Sequence, residues 1–143
     1  MTHDTKTIAL RGTVAAAIAA LVNAGVVAVA QSADLAPGFR ALTYPPVLFL
    51  SVAGALGAAV VYALLGRRDR RGTDQAFTRI AIAVLVLSFV PDIGLLLVDE
   101  AATTSGVLVL MAMHVVVAVA AVSLLTGRPV AIGGEKTTTP AQR

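Results

Sequence analysis

The sequence predicts an all-α protein, a bundle of four transmembrane helices with both chain ends in the cytoplasm. Of its 143 residues, 57% are hydrophobic and only 13% are charged. Soluble domains carry about 25% charged residues, so these few charges could not cover the surface of a water-soluble domain. Four long apolar segments each exceed the roughly 20 residues that a helix needs to cross a bilayer. They are 8–30, 42–66, 76–98 and 104–126.

Cysteine content and charge exclude several classes of function. The chain has no cysteine, which excludes disulfides, thiolate metal sites and thiol redox chemistry. Its net charge is +3, and four of its eleven Lys and Arg residues lie in one short segment, 67–71. That distribution is typical of a membrane-topology signal and not of a nucleic-acid surface, so we expect no nucleic-acid partner.

The first apolar segment, 8–30, allows two interpretations. The tripeptide Ala28-Val29-Ala30 resembles a signal-peptidase site, and Lys6 and Arg11 would form the charged start of a signal peptide. The segment is longer than the roughly 7–15 apolar residues of a cleaved signal, which favours a retained helix. Cleavage would leave three spans in the same orientation.

The second segment, 42–66, begins beside an aromatic residue and two prolines. Tyr44 is placed to anchor the membrane interface, and Pro45 and Pro46 suit the first turn of a helix. A basic run, RRDRRGTDQ, follows this segment. We interpret it as a topology anchor. Its arginines could also hold anionic lipid headgroups, since each basic residue near such a surface adds about 1 kcal/mol: Arg67, Arg68, Arg70 and Arg71.

The distribution of Lys and Arg predicts the orientation of the four spans. With a cytoplasmic N-terminus, Arg40 is the one basic residue outside, and the positive-inside rule then favours both ends inside. We therefore expect a cytoplasmic segment at 1–7 and a disordered cytoplasmic tail at 127–143, which is rich in Gly, Thr and Pro. The inside residues are Lys6, Arg11, Arg67, Arg68, Arg70, Arg71, Arg79, Arg128, Lys136 and Arg143.

Small residues supply the close packing that apolar burial cannot drive in lipid. They recur at helical spacing on one face of the first, second and fourth segments, and they predict packing within one monomer. A homodimer seam is the alternative. The residues are Ala16, Ala19 and Ala20, then Gly54, Ala55 and Ala58, then Ala118 and Ala121.

Polar side chains in the four spans predict one layer near the outer half of the bundle. Asp92 lies about 9 Å and His114 about 15 Å from the outer ends of their helices at 1.5 Å per residue. Asn23 and Ser51 fall at similar depths, and Ser88 lies one turn from Asp92. An unpaired carboxylate in hydrocarbon is costly, so we expect Asp92 to face the bundle interior, either neutral or paired with His114. Pro91, beside it, predicts a local kink.

Two interpretations of this layer stay open at the level of sequence. A structural hydrogen-bond cluster would fix helix packing, with each bond worth about 0.6–2 kcal/mol. Alternatively, Asp92 and His114 carry protons or bind a solute, as intramembrane ionisable residues often do. One His and one Asp fall short of the three or four ligands of a zinc site, so we expect no metal and no other cofactor.

The function predicted from these residues is a non-enzymatic, structural or accessory membrane protein. The sequence has no Gly-rich phosphate loop, nucleophile elbow or paired carboxylates, and we therefore assign no catalytic residue. A small transporter or channel is the alternative. The expected partners are the lipid bilayer and either a second copy of the chain or another membrane protein.

Two motifs carry a family resemblance. The segments SFVPDIGLLL (88–97) and MAMHVVVA (111–118) resemble an uncharacterised family of small four-span membrane proteins of haloarchaea and high-GC bacteria, a domain of unknown function. The resemblance covers about residues 8–126. It implies the four-helix fold and a location in the cell membrane, and it implies no activity.

Overall fold

The computed structural model describes residues 5–68 and 72–127, and these form an all-α protein with four long helices. Each helix is long and apolar enough to cross a membrane, which confirms the four-helix, all-α part of the predicted fold. A short 3-10 turn, Arg40–Leu42, lies between the first two helices. The helices are α1 (Thr5–Ser32), α2 (Tyr44–Arg68), α3 (Thr73–Val98) and α4 (Thr104–Thr126).

Several predictions concern residues outside the described ranges. The first four residues, two of the four arginines of the basic run (Arg70 and Arg71), and the tail from residue 128 onward belong to this group.

Two apolar clusters show that successive helices run in opposite directions. One joins the start of α1 with the ends of α2 and α4 and the start of α3, and it includes Ile8, Tyr62 and Leu125. The other joins the end of α1 with the starts of α2 and α4, and it includes Val27 and Val47. The two ends of the bundle are called the Arg67 end and the Arg40 end below, each after one basic residue that lies there.

The helices α1, α2 and α4 form the core, and α3 lies at its side. Helix α1 packs on α2 and α4, whereas α3 packs mainly on α4. In the most apolar stretch of α1, 33% of the residues are buried inside the protein, against 6% for α3. Most of the surface of α3 is therefore left for lipid or for another protein.

Helices α1 and α2 approach most closely where small residues meet. A Cβ atom placed on Gly12 would lie only 2.5 Å from the Cβ of Ala59. Further along the same contact, Ala15, Ala19 and Ala55 are completely buried, each with 0% exposure. Small side chains at these positions let the two backbones approach, as membrane helices require in the absence of a hydrophobic driving force.

At the Arg67 end, α3 is attached to α2 through its first turns. The Phe77 ring, 1% exposed, packs edge to face against Tyr62 with centroids 5.1 Å apart. The Tyr62 hydroxyl donates a hydrogen bond of 2.7 Å to Asp74 Oδ1. The aromatic contact and the hydrogen bond together fix the start of α3.

At the Arg40 end, the α1–α2 connection packs against the start of α4. Phe39 is 1% exposed, and a Cβ atom on Gly106 would lie 2.8 Å from a side chain of the connection. The Leu35 carbonyl accepts hydrogen bonds from the Thr103 and Ser105 hydroxyls at 3.0 and 2.7 Å. This connection is therefore an ordered part of the fold.

Local sequence signals account for how α4 begins and ends. Thr103 precedes α4 and its hydroxyl accepts a hydrogen bond of 3.0 Å from the Gly106 amide, which satisfies one of the free N–H groups of the first turn. Gly127 follows α4 with φ +66°, a left-handed conformation that glycine adopts at low cost. Helix α3 continues through Pro91 to Val98.

Candidate functional site

Asn23 joins three helices inside the bundle. The side chain is on α1, is 1% exposed, and lies against α2 and α4. Its Nδ2 atom donates to Ser51 Oγ at 2.8 Å and to the Met113 carbonyl at 3.4 Å. An amide nitrogen carries two hydrogens, so it can serve both acceptors.

Asp92 and His114 form a second polar pair, between α3 and α4. Asp92 Oδ2 lies 3.1 Å from His114 Nδ1, and the two side chains are 9% and 36% exposed, respectively. The same ring nitrogen lies 2.9 Å from the Leu110 carbonyl, one turn back along α4. A ring nitrogen carries at most one hydrogen. The Asp92 oxygen and the Leu110 carbonyl therefore compete for the hydrogen on Nδ1.

The geometry favours Leu110 in this competition. The approach of Asp92 Oδ2 to the imidazole falls within ion-pair distance, yet this oxygen is buried and has no hydrogen-bond partner. The Asp92–His114 contact is therefore a close approach of two polar groups and not a hydrogen bond.

Two buried oxygens among the described residues lack hydrogen-bond partners. They are Asn23 Oδ1 and Asp92 Oδ2. More than about 90% of buried polar groups in folded proteins are satisfied, so each unsatisfied oxygen calls for a physical reason. Both are acceptors, and what would satisfy them is a donor: an internal water, an added proton or a ligand group.

The two polar pairs contact α4 through different groups. Asn23 reaches the main-chain carbonyl of Met113, whereas Asp92 approaches the side chain of His114. Within the described residues no hydrogen bond connects the Asn23–Ser51 pair with the Asp92–His114 pair. The structure thus contains the residues expected in one layer, arranged as two separate contacts.

Ser88 belongs to neither pair. Its hydroxyl donates to the Leu85 carbonyl of its own helix at 2.7 Å. Serine side chains often bond to a carbonyl one turn back, which explains why this residue does not reach Asp92. It also supplies no hydrogen bond to the carbonyl of Leu87, the acceptor that Pro91 leaves without its usual donor.

Several basic residues lie together at the Arg67 end of the bundle. Arg67 and Arg68 are exposed in the last turn of α2. Arg11 is nearby, where its guanidinium donates to the Leu125 carbonyl at 3.4 Å and so covers the end of α4.

Within residues 5–68 and 72–127, no group of three or more His, Cys, Asp or Glu side chains is placed to hold a metal ion.

Some polar contacts were not predicted from sequence. The acceptor role of the Met113 and Leu110 carbonyls is a property of the backbone, which leaves no signal in residue types. The Tyr62–Asp74 bond did leave a signal. A tyrosine near the end of one apolar segment and an aspartate just before the next are brought together when the intervening chain is short.

The chain belongs to a family of unknown function, DUF6069, whose model matches residues 3–131. The match covers both resemblance motifs, and it confirms the predicted resemblance to a domain of unknown function. No curated protein matches the chain, and no solved structure matches it.

Proposed function

We propose that the protein is a non-enzymatic, multi-pass component of the cell membrane, structural or accessory in role, whose buried polar residues fix the packing of its helices. The family to which it belongs brings no activity, so the proposal depends on the side chains themselves. The observation that carries it is the position of Asn23. One buried amide contacts α2 and α4 from α1 and so sets the relative positions of three helices.

The size of these interactions supports a packing role. Hydrogen bonds between membrane helices contribute about 0.6–2 kcal/mol each, which is enough to select one arrangement among several of similar packing energy. Helix α3 has the fewest buried residues of the four helices. Only Thr73, Phe77 and Asp92 are buried on it, so the approach of Asp92 to His114 holds the half of α3 far from Phe77.

Stability measurements test this role. Asn23→Ala should lower the free energy of unfolding in detergent by about 1–3 kcal/mol, because it removes two interhelical hydrogen bonds. His114→Ala should lower it by less, about 0.6 kcal/mol, because the approach of His114 to Asp92 is not a full interhelical hydrogen bond. The matched control is Ser88→Ala, which removes only a bond within one helix and should stay within about 0.5 kcal/mol of wild type. Wild-type stability of Asn23→Ala and His114→Ala, together with lost cellular function, would overturn the structural role.

The proposed orientation places both ends in the cytoplasm. Four spans leave both ends on one side, and the described basic residues of the Arg67 end outnumber Arg40 at the other. Because the chain has no cysteine, single cysteines report topology directly. An impermeant maleimide should label Ser32→Cys in intact cells and should label Gln75→Cys only after lysis. The reverse pattern would contradict the orientation.

We propose that α1 stays in the mature protein. It carries as many buried residues as α4 and more than α2 or α3, including Ala15, Ala19 and Val27 at 0% exposure. Cleavage after Ala30 would remove this packing surface. The intact mass of the purified protein distinguishes the two cases. A mass that lacks the first 30 residues would refute this interpretation.

Two kinds of partner complete the proposal. The arginines of the basic run, Arg67, Arg68, Arg70 and Arg71, would hold anionic lipid headgroups on the cytoplasmic side. The exposed apolar surface of α3 would contact lipid, a second copy of the chain or another membrane protein. We propose no nucleic-acid partner.

A transporter or channel is the second candidate, and the unsatisfied Asp92 Oδ2 favours it. This oxygen lies 3.1 Å from His114 Nδ1, so a proton could pass between the two groups. In proteoliposomes, a pH-dependent flux that Asp92→Asn abolishes and Ser88→Ala preserves would support this function. No flux for protons or any tested solute would count against it.

A further inference from the structure

A small open cleft lies in the α1–α2 connection, at the Arg40 end of the bundle. Its volume is about 210 Å³, and its lining includes Gln31, Asp34 and Arg40. All three residues are exposed, and none forms an ion pair with another described residue. A second cleft of about 440 Å³ shares Arg40 with the first and continues past Pro45 and Pro46 at the start of α2.

The connection that forms these clefts is held in place by buried contacts. Phe39 anchors it in the core, and the Leu35 carbonyl is fixed by hydroxyls of Thr103 and Ser105. Loops that a fold holds rigidly are where binding residues are most often displayed. Because the connection joins the ends of two membrane-length helices, the clefts lie at the depth of the lipid headgroups.

The charges beside the first cleft have opposite signs and are not paired with each other. Asp34 and Arg40 both border it, yet no ion pair joins them in the described part of the chain. Arg40 is also the only Lys or Arg at this end among the described residues. The nearby start of α2 offers little to an anion, since Pro45 and Pro46 lack backbone N–H groups. Recognition of an anion here therefore falls to Arg40.

We propose that this cleft binds the headgroup of a phospholipid that carries both a phosphate and a primary ammonium. Arg40 binds the phosphate, because a guanidinium matches phosphate oxygens with paired donors. Asp34 binds the ammonium. The glycerol and acyl chains follow the second cleft past the two prolines toward Phe49, which is 71% exposed on α2.

The volume of the first cleft fits such a group. Since each water occupies about 30 Å³, the cleft corresponds to about seven waters, which is enough for a phosphate with a short amine. The second cleft, of about 440 Å³, leaves room beyond it for the glycerol and the start of the acyl chains.

Native mass spectrometry of the full chain, released from detergent after incubation with defined lipids, tests this assignment. Phosphatidylethanolamine and phosphatidylglycerol with identical acyl chains differ only in the headgroup. The wild type should retain the first about fivefold better, since only that headgroup offers an ammonium to Asp34. Asp34→Asn keeps the left-handed turn at this position, where φ is +51°, because asparagine tolerates it. This variant should lose the preference and still retain phosphatidylglycerol, which also shows that it is folded.

Arg40→Gln should reduce the retention of phosphatidylethanolamine about tenfold, because it removes the guanidinium that binds the phosphate. The control is Arg79→Gln, at an exposed residue of α3 near the opposite end of the bundle, and it should keep the wild-type preference. Equal retention of the two lipids by the wild type, or an unchanged preference in Asp34→Asn, would overturn the proposal. Soluble phosphoethanolamine distinguishes a lipid headgroup from a soluble ligand that carries the same phosphate and ammonium groups. Displacement of the lipid by millimolar phosphoethanolamine would overturn the lipid assignment in favour of a soluble ligand, and continued retention would support it.

Discussion

Substituting Gly12 by alanine should weaken the contact between α1 and α2. The added Cβ atom would lie 2.5 Å from the Ala59 Cβ, whereas carbon atoms in contact normally lie about 3.5–4.0 Å apart. The Ala59 Cβ is fixed to its backbone and cannot rotate away. The two helices must therefore separate locally by about 1 Å or more to restore a normal contact. Overpacking of this kind costs about 1–3 kcal/mol.

Gly25→Ala is the matched control for Gly12→Ala. Gly25 lies on the same helix, and a Cβ atom placed on it meets nothing within 4 Å. Both changes bring the same gain in helix propensity, up to about 1 kcal/mol, so this gain cancels when the two variants are compared. The difference in their free energies of unfolding, measured by denaturant titration in detergent, then reports the steric cost alone. Equal stability of the two variants would refute the proposed close approach of α1 and α2.

Two further substitutions test the contacts at the two ends of the bundle. Thr103→Ala removes the cap of α4 and a hydrogen bond to the Leu35 carbonyl. It should lower the free energy of unfolding by about 1–2 kcal/mol, which appears as a lower melting temperature. Thr103→Ser should restore most of this loss. Tyr62→Phe removes the hydroxyl that donates to Asp74 and should cost about 1 kcal/mol. Tyr44→Phe, at a residue that is 40% exposed, should be neutral in the same thermal measurement. Equal effects of the two tyrosine changes would contradict the Asp74 contact.

The fold class could be predicted from sequence because lipid leaves the backbone few choices. Every N–H and C=O group in the hydrocarbon must be satisfied within the protein, so four apolar segments of this length imply four helices. The neighbours of each helix could not be predicted in the same way. Small residues recur along α1, α2 and α4, and their spacing does not show which of them meet. Only the structure shows that Gly12 meets Ala59 and that α3 lies at the side of the bundle.

The residue types of the candidate site could also be named from sequence, but their pairing could not. A polar side chain in an apolar segment is conspicuous, and this identifies Asn23, Asp92 and His114. Their partners depend on the rotation of each helix and on competition from backbone carbonyls. Ser88 illustrates the competition, because its own helix provides the acceptor that its hydroxyl uses.

The two polar pairs differ in a way that separates a packing role from a functional one. Asn23 and Ser51 are 1% and 3% exposed, so nothing can reach them without the core helices moving apart. His114 keeps 36% of its side chain exposed, and its neighbour Asp92 retains an unsatisfied oxygen. A change at Asn23 should therefore alter stability and function together. Of the two pairs, Asp92 and His114 are where we expect substitutions that affect function more than stability. If Asn23→Ala were to abolish cellular function at wild-type stability, the enclosed pair could not be a packing contact.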